Sequence, residues 1–361
     1  MSEERTTEQP LVSVVIPVFN GELTIQRAID SVFTQTHPNV ECIVVDDKSK
    51  DSTAEILRSY GDRIQAVFNE KNRGTAGAYN IGTSKAKGEF VILMASDCCM
   101  TDPDHITKAL VHMSDEKLAA VSGQGIFDHL DKLDTIQRIF TTVNLLDVTD
   151  SEEEVFEVSF IETRCDLVRY KALEEIGFWF EGLYNSTEDQ DISARIRQLG
   201  YRLIQDKRIR FALDFGQTED NLYKVVKKQY KYANGQGYIF LKYGLGHHTM
   251  TGAQANRRSR IWHRFIQILL GPATIGLALL SPTWPIASAA LALMLGLRAT
   301  YYFVSSGRWL SGIDRIFCAF IGLLCDLTYS LSFLGSLILW IARDPSVVRF
   351  GRPVADQGRG A

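Results

Sequence analysis

The chain has 361 residues, a formal net charge of −4 and a hydrophobic content of 45%. This length allows one large domain with a further region, and the slightly acidic balance argues against a nucleic-acid partner. Short hydrophobic runs separated by charges extend to about residue 255, and long apolar blocks follow Ile261. We therefore expect a water-exposed N-terminal part and a membrane-embedded C-terminal part.

Runs rich in β-branched residues alternate with helical patterns in the first hundred residues. The runs lie at 11–19, 41–47, 64–68 and 89–96. After the first run, apolar residues recur at the spacing of one helical face, namely at Ile25, Ala28, Ile29 and Val32. Repeated strand–helix units of this length predict an α/β fold with a doubly wound, mostly parallel sheet.

Polar clusters follow three of these runs, around Asn20, Asp47 and Asp97. Ligands of doubly wound sheets bind beyond the carboxyl ends of the strands. One crevice is therefore expected to collect all three clusters. The six cysteines show no spacing typical of a metal site, which predicts a reduced, cytosol-facing domain.

Three apolar segments after the basic stretch RRSR are long enough to cross a bilayer, which takes about 20 residues. They are 261–280, 285–304 and 316–341, and the first two are joined by the turn SPTWP. Arginines on both sides of this hairpin place its flanks and the N-terminal domain in the cytosol under the positive-inside rule. We expect an integral protein of the cell membrane with three crossings. A re-entrant third segment is the alternative, because the basic tail 343–361 would then stay inside.

Arg298 and Asp326 lie inside these apolar segments, where a charge is costly and usually paired or functional. Three interpretations stay open. The two residues can form an ion pair, Arg298 can bind a phosphate of a lipid or lipid-linked acceptor, or its side chain can extend to the membrane surface.

Three stretches resemble glycosyltransferases of family 2, which have the GT-A fold. They are VSVVIPVFNGELTIQRAIDSVFTQTHPNVECIVVDDKSKDST, NEKNRGTAGAYNIGTSKAKGEFVILMASD and FEGLYNSTEDQDISARIRQLGYRL. With the apolar C-terminal part, the chain is similar to the succinoglycan-synthase-like branch. The resemblance implies a flexible terminus (1–10), a GT-A domain (11–235), a linker or interfacial helix (236–260), transmembrane helices (261–342) and a polar basic tail (343–361).

The resemblance also implies a pocket for a UDP- or GDP-linked sugar. Asp47 would accept a hydrogen bond from the base, because an ionised carboxylate only accepts. The other residues implied in the pocket are Pro17, Phe19, Asn20, Glu22, Asp46, Arg73, Asn80 and Ser96. Alternatively, Asp46 and Asp47 cap the helix that begins in SKDST, and Arg73 and Asn80 serve the structure.

Asp97 occupies the position where the family holds Mg²⁺ or Mn²⁺ against the donor diphosphate. The usual Asp-x-Asp motif is degraded, since Ala95 stands at the place of the first acid. One carboxylate suffices where phosphates and water complete the coordination of Mg²⁺. The neighbouring Cys98 and Cys99 are expected to fill space, since thiolates are poor ligands for this ion. The alternative is that Asp97 only ends a strand.

The stretch STEDQDISARI resembles the family's acceptor-side motif. Inversion at an anomeric carbon needs a base that deprotonates the attacking hydroxyl, and the resemblance assigns this role to Asp189. Glu188 would orient Asp189 or the acceptor, and Asp191 would favour the helix N-terminus electrostatically. The alternative is that all three acids only stabilise the helix N-terminus electrostatically.

Gln229 and Arg298 are the candidate acceptor-binding residues. The family's processive members carry Gln-x-x-Arg-Trp, whereas Lys231 and Tyr232 stand here near Gln229. This departure argues against a polymerising enzyme, and a helix packed on the domain or along the membrane explains the same residues.

The sequence thus favours an inverting, metal-dependent glycosyltransferase that acts on a lipid-linked saccharide or polysaccharide at the cytosolic membrane face. A polyprenyl-phosphate sugar synthase is the first alternative. A catalytically decayed membrane scaffold is the second.

Overall fold

The protein is described by a computed structural model, which places residues 9–126, 133–145, 153–179, 187–213, 220–243, 257–280, 282, 284–308 and 310–343. The chain divides into two compact units. The first comprises 1–128 and 153–214, and the second comprises 129–152 and 215–361. The second unit therefore begins before residue 235 and also takes in a segment between two strands of the first unit.

Nine strands of the first unit form one sheet. They are β1 (Val12–Val18), β2 (Val40–Asp46), β3 (Gln65–Phe68), β4 (Phe90–Met94), β5 (Cys98–Met100), β6 (Leu118–Ile126), β7 (Val155–Glu157), β8 (Cys165–Arg169) and β9 (Arg202–Leu213). The order is β3-β2-β1-β4-β8-β6-β9-β5, and β7 pairs with β9.

The first half of this sheet is parallel, as the strand–helix alternation predicts. β1 lies between β2 and β4, with Val15 opposite Ile43 on one side and Leu93 on the other. All three side chains are fully buried, which is why these strands read as continuous apolar runs. β8 then pairs antiparallel with β4, so the sheet as a whole is mixed. The α/β class is confirmed.

Eleven helices lie in the described ranges. They are α1 (Ile25–Phe33), α2 (Thr53–Ser59), α3 (Gly74–Thr83), α4 (His105–His112), α5 (Thr135–Leu145), α6 (Tyr170–Glu175), α7 (Glu188–Gln198), α8 (Leu222–Tyr243), α9 (Arg257–Leu280), α10 (Pro285–Ser305) and α11 (Ile313–Arg343). The predicted apolar face of α1 is buried at all four positions.

α3 packs closely on the parallel strands because Gly82 lacks a side chain. A Cβ placed on Gly82 would lie 2.4 Å from Val15 Cγ1 and 3.1 Å from Val45 Cγ2. The helix can therefore approach β1 and β2 at a distance that alanine would prevent. This close packing fixes the C-terminal end of α3 against the sheet.

Among the described residues, the α-helices of the second unit are α5 and the four helices α8 to α11. The three apolar segments predicted from the sequence coincide with α9, α10 and α11 within a few residues. α10 and α11 are long and apolar enough to cross a membrane, whereas the apolar part of α9 is the shorter range 266–280. Length and composition alone support this statement.

Arg298 and Asp326 form a buried ion pair inside the second unit. Arg298 Nε lies 2.6 Å from Asp326 Oδ2, and both residues are at most 6% exposed. Tyr302 Oη (2.9 Å) and Gln267 Nε2 (3.0 Å) donate hydrogen bonds to Asp326 Oδ1, and the guanidinium lies 4.8 Å from the ring centre of Tyr301. Of the interpretations left open for Arg298, the ion pair is the one present. The network joins α9, α10 and α11.

Replacing Asp326 with asparagine is expected to destabilise the second unit strongly. The change leaves a buried guanidinium without its anion, which typically costs about 3–5 kcal/mol. Thermal unfolding of the full chain in detergent measures the effect. The matched control is Arg298→Met with Asp326→Leu, which removes both charges and should recover most of the loss. An unchanged melting temperature for Asp326→Asn alone would show that the pair contributes little.

Candidate active site

The carboxyl ends of β1, β2 and β4 meet at one edge of the sheet. Asp47 N donates to Val18 O at 2.8 Å, which joins the ends of β2 and β1. A Cβ placed on Gly21 would lie 3.8 Å from Ser96 Oγ, so the turn after β4 adjoins the loop after β1. The structure therefore brings together the three polar clusters that the sequence placed at strand ends.

The loop after β1 is bonded to the loop after β2. Asn20 has a positive φ of 54°. Its backbone N–H donates to Ser49 Oγ (2.9 Å), and its side-chain Oδ1 accepts from Lys50 N (2.8 Å). Glu22 Oε2 accepts from Ser52 N at 3.0 Å. The side chains of Asn20 and Glu22 thus hold the two loops together, a role compatible with shaping a pocket.

Pro17 and Phe19 lie at the end of β1. Pro17 stands opposite Val45 in the parallel pair, and Phe19 is 48% exposed, an unusual exposure for so large an apolar ring. An exposed aromatic ring at a strand end is suited to contact a flat ligand.

Asp47 caps α3. Its carboxylate accepts hydrogen bonds from Arg73 N (2.8 and 3.0 Å), Gly74 N (2.8 Å) and Asn69 Nδ2 (2.8 Å). A carboxylate at a helix N-terminus satisfies unpaired amides and interacts favourably with the helix dipole. Asp47 thus caps a helix, as the alternative interpretation predicted, but the helix is α3 and not the one that begins in SKDST. The role of Asp47 in binding the base stays a prediction, and the base would compete with these three donors.

Asp46 and Asp51 hold the loop after β2. Asp46 is buried and its Oδ1 accepts from Ser49 N at 2.8 Å. Asp51 Oδ1 accepts from Thr53 N (3.1 Å) and from Thr53 Oγ1 (2.5 Å) at the start of α2. Asp51 is therefore the acid that bonds to the first residue of α2, the helix that begins in SKDST.

Asn80 and Arg73 have structural contacts on α3. Asn80 Oδ1 accepts from Trp179 N (2.9 Å), and Asn80 Nδ2 donates to Trp179 O (3.1 Å). Tyr79 stacks on the same tryptophan, with ring centroids 5.0 Å apart. Arg73 contributes its backbone amide to Asp47. A contact of either side chain with a donor stays a prediction.

Asp97 lies with Ser96 in a tight turn between β4 and β5, closed by a hydrogen bond from Cys98 N to Ala95 O (3.1 Å). The carboxylate is partly exposed, and Cys98 Sγ donates a long contact of 3.7 Å to Asp97 Oδ1. No group of three His, Cys, Asp or Glu side chains suited to a metal occurs among the described residues. A hard cation at Asp97 would therefore take this one carboxylate from the protein and the rest from donor phosphates and water, which fits Mg²⁺ and Mn²⁺.

Glu188 and Asp189 open α7, after Thr187 in a left-handed conformation (φ 61°). Burial raises the pKa of both carboxyls, and the charge of Asp189 raises that of Glu188 further. Asp189 Oδ1 accepts from Gln190 N at 2.8 Å. Two adjacent acids with raised pKa values at a helix start are suited to proton transfer near neutral pH.

Asp191, the third acid of the motif, has a structural contact. It is fully buried, and Arg195 Nε and Nη2 both lie 2.8 Å from its Oδ2. Arg195 also donates to Ile176 O at 2.7 Å. Asp191 is thus engaged in an ion pair within α7, and its electrostatic effect on the helix N-terminus stays a prediction.

A charged segment that the sequence analysis did not single out lies beside the Asp97 turn. Ala95 N donates to Arg164 O (2.9 Å), and the Arg164 guanidinium pairs with Glu162 (2.9 Å). Besides the dominant effect of burial, the charge of Glu162 raises the pKa of Asp189 and that of Arg164 lowers it. The segment therefore links the Asp97 turn to the acids of α7.

Asp166 completes this segment inside β8. It is fully buried, its Oδ2 accepts from Arg164 N at 3.1 Å, and burial raises its pKa to about 7. Glu162 and Arg164 precede β8, and Thr163 between them has a positive φ of 51°, so the three charged residues do not lie on one face of a strand. No local pattern in the sequence therefore marked these three residues.

The two candidate acceptor residues belong to the second unit. Gln229 is buried in α8, and Arg298 is engaged by Asp326. Their role in binding an acceptor stays a prediction.

Residues 13–177 match the model of the family described as Glycosyl transferase family 2. A Bacillus subtilis protein named "Putative teichuronic acid biosynthesis glycosyltransferase TuaG" is 31% identical over 198 residues, which are 49% of this chain and 77% of that protein. The chain belongs to glycosyltransferase family 2.

Two further proteins are similar to this chain, one in sequence and one in structure. The "Uncharacterized glycosyltransferase RT0329" of Rickettsia typhi is 45% identical over 94 residues, 26% of this chain and 29% of that protein, so the chain spans less than a third of this relative's length. The solved mannosyltransferase PcManGT from Pyrobaculum calidifontis is similar in structure with a TM-score of 0.59 and 18% identity, over 91% of this chain and 88% of that one. This likeness confirms the GT-A-type fold.

Replacing Asp166 with asparagine is expected to stabilise the protein more at pH 8 than at pH 5. The folded-state pKa of this carboxyl lies above its unfolded value of about 4, so the wild type loses stability as the pH rises towards 7. The full effect is on the order of 4 kcal/mol at most. Melting temperatures of wild type and variant at the two pH values measure it.

The control for this prediction is Asp62→Asn at an exposed acid of the same unit. A gain from Asp166→Asn that is equal at pH 5 and pH 8 would show that ionisation of Asp166 is not the cause.

Proposed function

We propose that this glycosyltransferase is membrane-bound, inverting and metal-dependent, and that it transfers a sugar from a nucleoside-diphosphate donor to a lipid-linked saccharide or polysaccharide. The observation that carries the proposal is the placement of Arg164. Its backbone is bonded to the Asp97 turn and its charge acts on Asp189. The same segment is bonded to α7, because Ile161 N donates to Ser193 Oγ (3.2 Å) and Ser193 Oγ donates to Asp189 O (2.7 Å). One short segment is therefore bonded both to the turn of the candidate donor-side carboxylate and to the helix of the candidate base.

On the donor side, the loops around Asn20 and Asp47 would hold the nucleoside, and Phe19 would contact the base. Asp97 would hold Mg²⁺ or Mn²⁺. The metal, when bound, would neutralise charge on the departing diphosphate. The solved structure of PcManGT is a complex with GDP-Man and Mn²⁺, which supports a nucleoside-diphosphate sugar and a divalent cation here.

On the acceptor side, Asp189 would take the proton of the attacking hydroxyl. As the bond from the anomeric carbon to the acceptor oxygen forms, the bond to the diphosphate breaks and the nucleoside diphosphate leaves with the electron pair. Attack from the face opposite the leaving group inverts the anomeric carbon. The raised pKa of Asp189 matches this task, because a base is most effective when its pKa is near the working pH.

The proposed acceptor and branch of the family are supported by the name of one relative and by the apolar helices. The name of TuaG refers to teichuronic acid biosynthesis, which supports a polysaccharide pathway. The apolar helices α10 and α11 support a membrane location and hence an acceptor carried by a lipid. A succinoglycan-synthase-like role is compatible with both.

Replacing Asp97 with asparagine is expected to abolish metal-dependent donor binding. Wild type should bind UDP or GDP in Mn²⁺ at least tenfold more tightly than in a chelator, and Asp97→Asn should lose that difference because an amide oxygen is a weaker ligand for a hard cation. Isothermal titration with each nucleotide measures this. Asp62→Asn serves as the control. Equal binding with and without metal, unchanged in Asp97→Asn, would remove Asp97 from the metal site.

The rate of transfer is expected to fall as the pH drops through the raised pKa of Asp189, because the protonated carboxyl cannot accept a proton. Asp189→Asn should lower the rate by about 10²–10⁴-fold. Removing the charge of Glu162 with glutamine should move the acidic limb to lower pH, whereas Arg164→Gln should move it to higher pH.

Steady-state rates between pH 5 and pH 9 test these shifts. The polyprenyl-phosphate alternative gives a different result, because a phosphate nucleophile is already ionised. Near-normal activity of Asp189→Asn would favour that acceptor, and donor binding without any transfer would favour the scaffold.

A further inference from the structure

Arg164 carries a positive charge into a part of the site that is rich in acids. Its backbone O accepts from Ala95 N (2.9 Å) in the Asp97 turn, and the next residue, Cys165, stands opposite Met94, the last residue of β4. Arg164 is therefore fixed at the carboxyl end of β4. The proposed function places the donor diphosphate at this end.

Buried contacts fix the backbone on both sides of Arg164. Thr163 has a φ of 51°, which a β-branched residue rarely adopts. The buried Tyr79 Oη donates to Thr163 O (2.8 Å), and Asp166 Oδ2 accepts from Arg164 N (3.1 Å). A strained backbone persists only where its surroundings hold it, and such strain is frequent at ligand-binding sites. The buried structure thus sets the position of Arg164.

The side chain of Arg164 reaches solvent. It is 32% exposed, and its Nη1 lies 2.9 Å from Oε2 of Glu162, whose side chain is 46% exposed. An ion pair with this exposure contributes little to stability, because water screens the two charges. A guanidinium forms shorter, paired hydrogen bonds with a phosphate group, whose oxygens match its parallel N–H groups. A phosphate at the Asp97 turn would therefore displace Glu162 from Arg164.

The charge of Arg164 acts on both sides of the segment. Burial raises the pKa of Cys98 and that of Asp189, and the guanidinium opposes the rise at both residues. A diphosphate carries several negative charges and would be repelled by Asp97 and Glu162 unless cations offset them. A divalent cation held by the carboxylate of Asp97 offsets part of this charge. Arg164 is placed to offset more of it, on the side towards Asp189.

We infer that Arg164 binds the β-phosphate of the nucleoside-diphosphate sugar, and that Glu162 holds the guanidinium until the donor arrives. The inference rests on the proposed function and adds to it a protein cation beside the metal. When the bond from the anomeric carbon to the diphosphate oxygen breaks, the electron pair leaves with that oxygen. The guanidinium stabilises the added negative charge through hydrogen bonds and transfers no proton.

The contribution of the β-phosphate to nucleotide binding tests this role. Full-length protein in detergent is titrated calorimetrically with UDP, UMP, GDP and GMP, in a chelator and in Mn²⁺. The variants are Arg164→Gln, Arg164→Lys and Glu162→Gln.

The matched control is Arg202→Gln, which removes the same charge from the same unit. The Arg202 side chain is 48% exposed and paired with Glu157. It lies at the start of β9, whereas Cys98 stands opposite Leu213 at the other end of that strand. This control should bind all four nucleotides like the wild type.

Arg164→Gln should weaken binding of the nucleoside diphosphate by about ten- to hundredfold and leave that of the monophosphate unchanged. Arg164→Lys should keep part of the affinity, because lysine retains the charge but not the paired geometry. Glu162→Gln should tighten diphosphate binding by about two- to fivefold, since it removes the competing anion. This expected gain keeps the test decisive even if Arg164→Gln does not fold.

Diphosphate binding by Arg164→Gln that equals the wild type would overturn the inference, as would an equal loss for both nucleotides or weaker binding by Glu162→Gln. Unchanged nucleotide binding with lost binding of polyprenyl phosphate in micelles would instead assign the guanidinium to an acceptor phosphate. A wild type that binds neither UDP nor GDP, with or without Mn²⁺, would refute the proposed function and the inference with it.

Discussion

The carboxylate of Asp47 is the contact on which the site edge of the first unit depends. It accepts from Arg73 N and Gly74 N at the start of α3 and from Asn69 Nδ2 after β3, while its own amide is bonded to Val18 O. One residue, through its side chain and its backbone amide, therefore joins the ends of three neighbouring strands to a helix. Buried amides left without this acceptor would each cost about 1–3 kcal/mol. The same carboxylate therefore stabilises the fold and shapes the site edge.

The sequence predicts those parts of the fold in which buried positions form a local pattern of apolar residues. The runs that became β1, β2 and β4 are continuous because both faces of each strand are covered, and α1 buries the face that its apolar spacing marked. Pairing between distant strands leaves no such local record. The antiparallel insertion of β8 beside β4, and the membership of α5 in the second unit, therefore had to come from the structure.

For the site, sequence reasoning found the acids at strand ends and at the start of α7 but not the residues that connect them. Asp47 was expected to cap a helix or bind a ligand, and the helix it caps is the next one along the chain. Glu162, Arg164 and Asp166 were missed because the family motifs lie on either side of them. The influence of Glu162 and Arg164 on Asp189 operates through space, across more than twenty residues of sequence.

The burial of Cys98, beside Asp97, determines how this turn responds to oxidants. Cys98 is buried, and burial together with the charge of Asp97 raises the pKa of its thiol well above the ordinary value. Because oxidants and electrophiles react with the thiolate, a thiol held protonated and out of solvent is inert. The turn that carries the candidate metal ligand is thus insulated from oxidative stress, although it contains the most readily oxidised type of side chain at two successive positions.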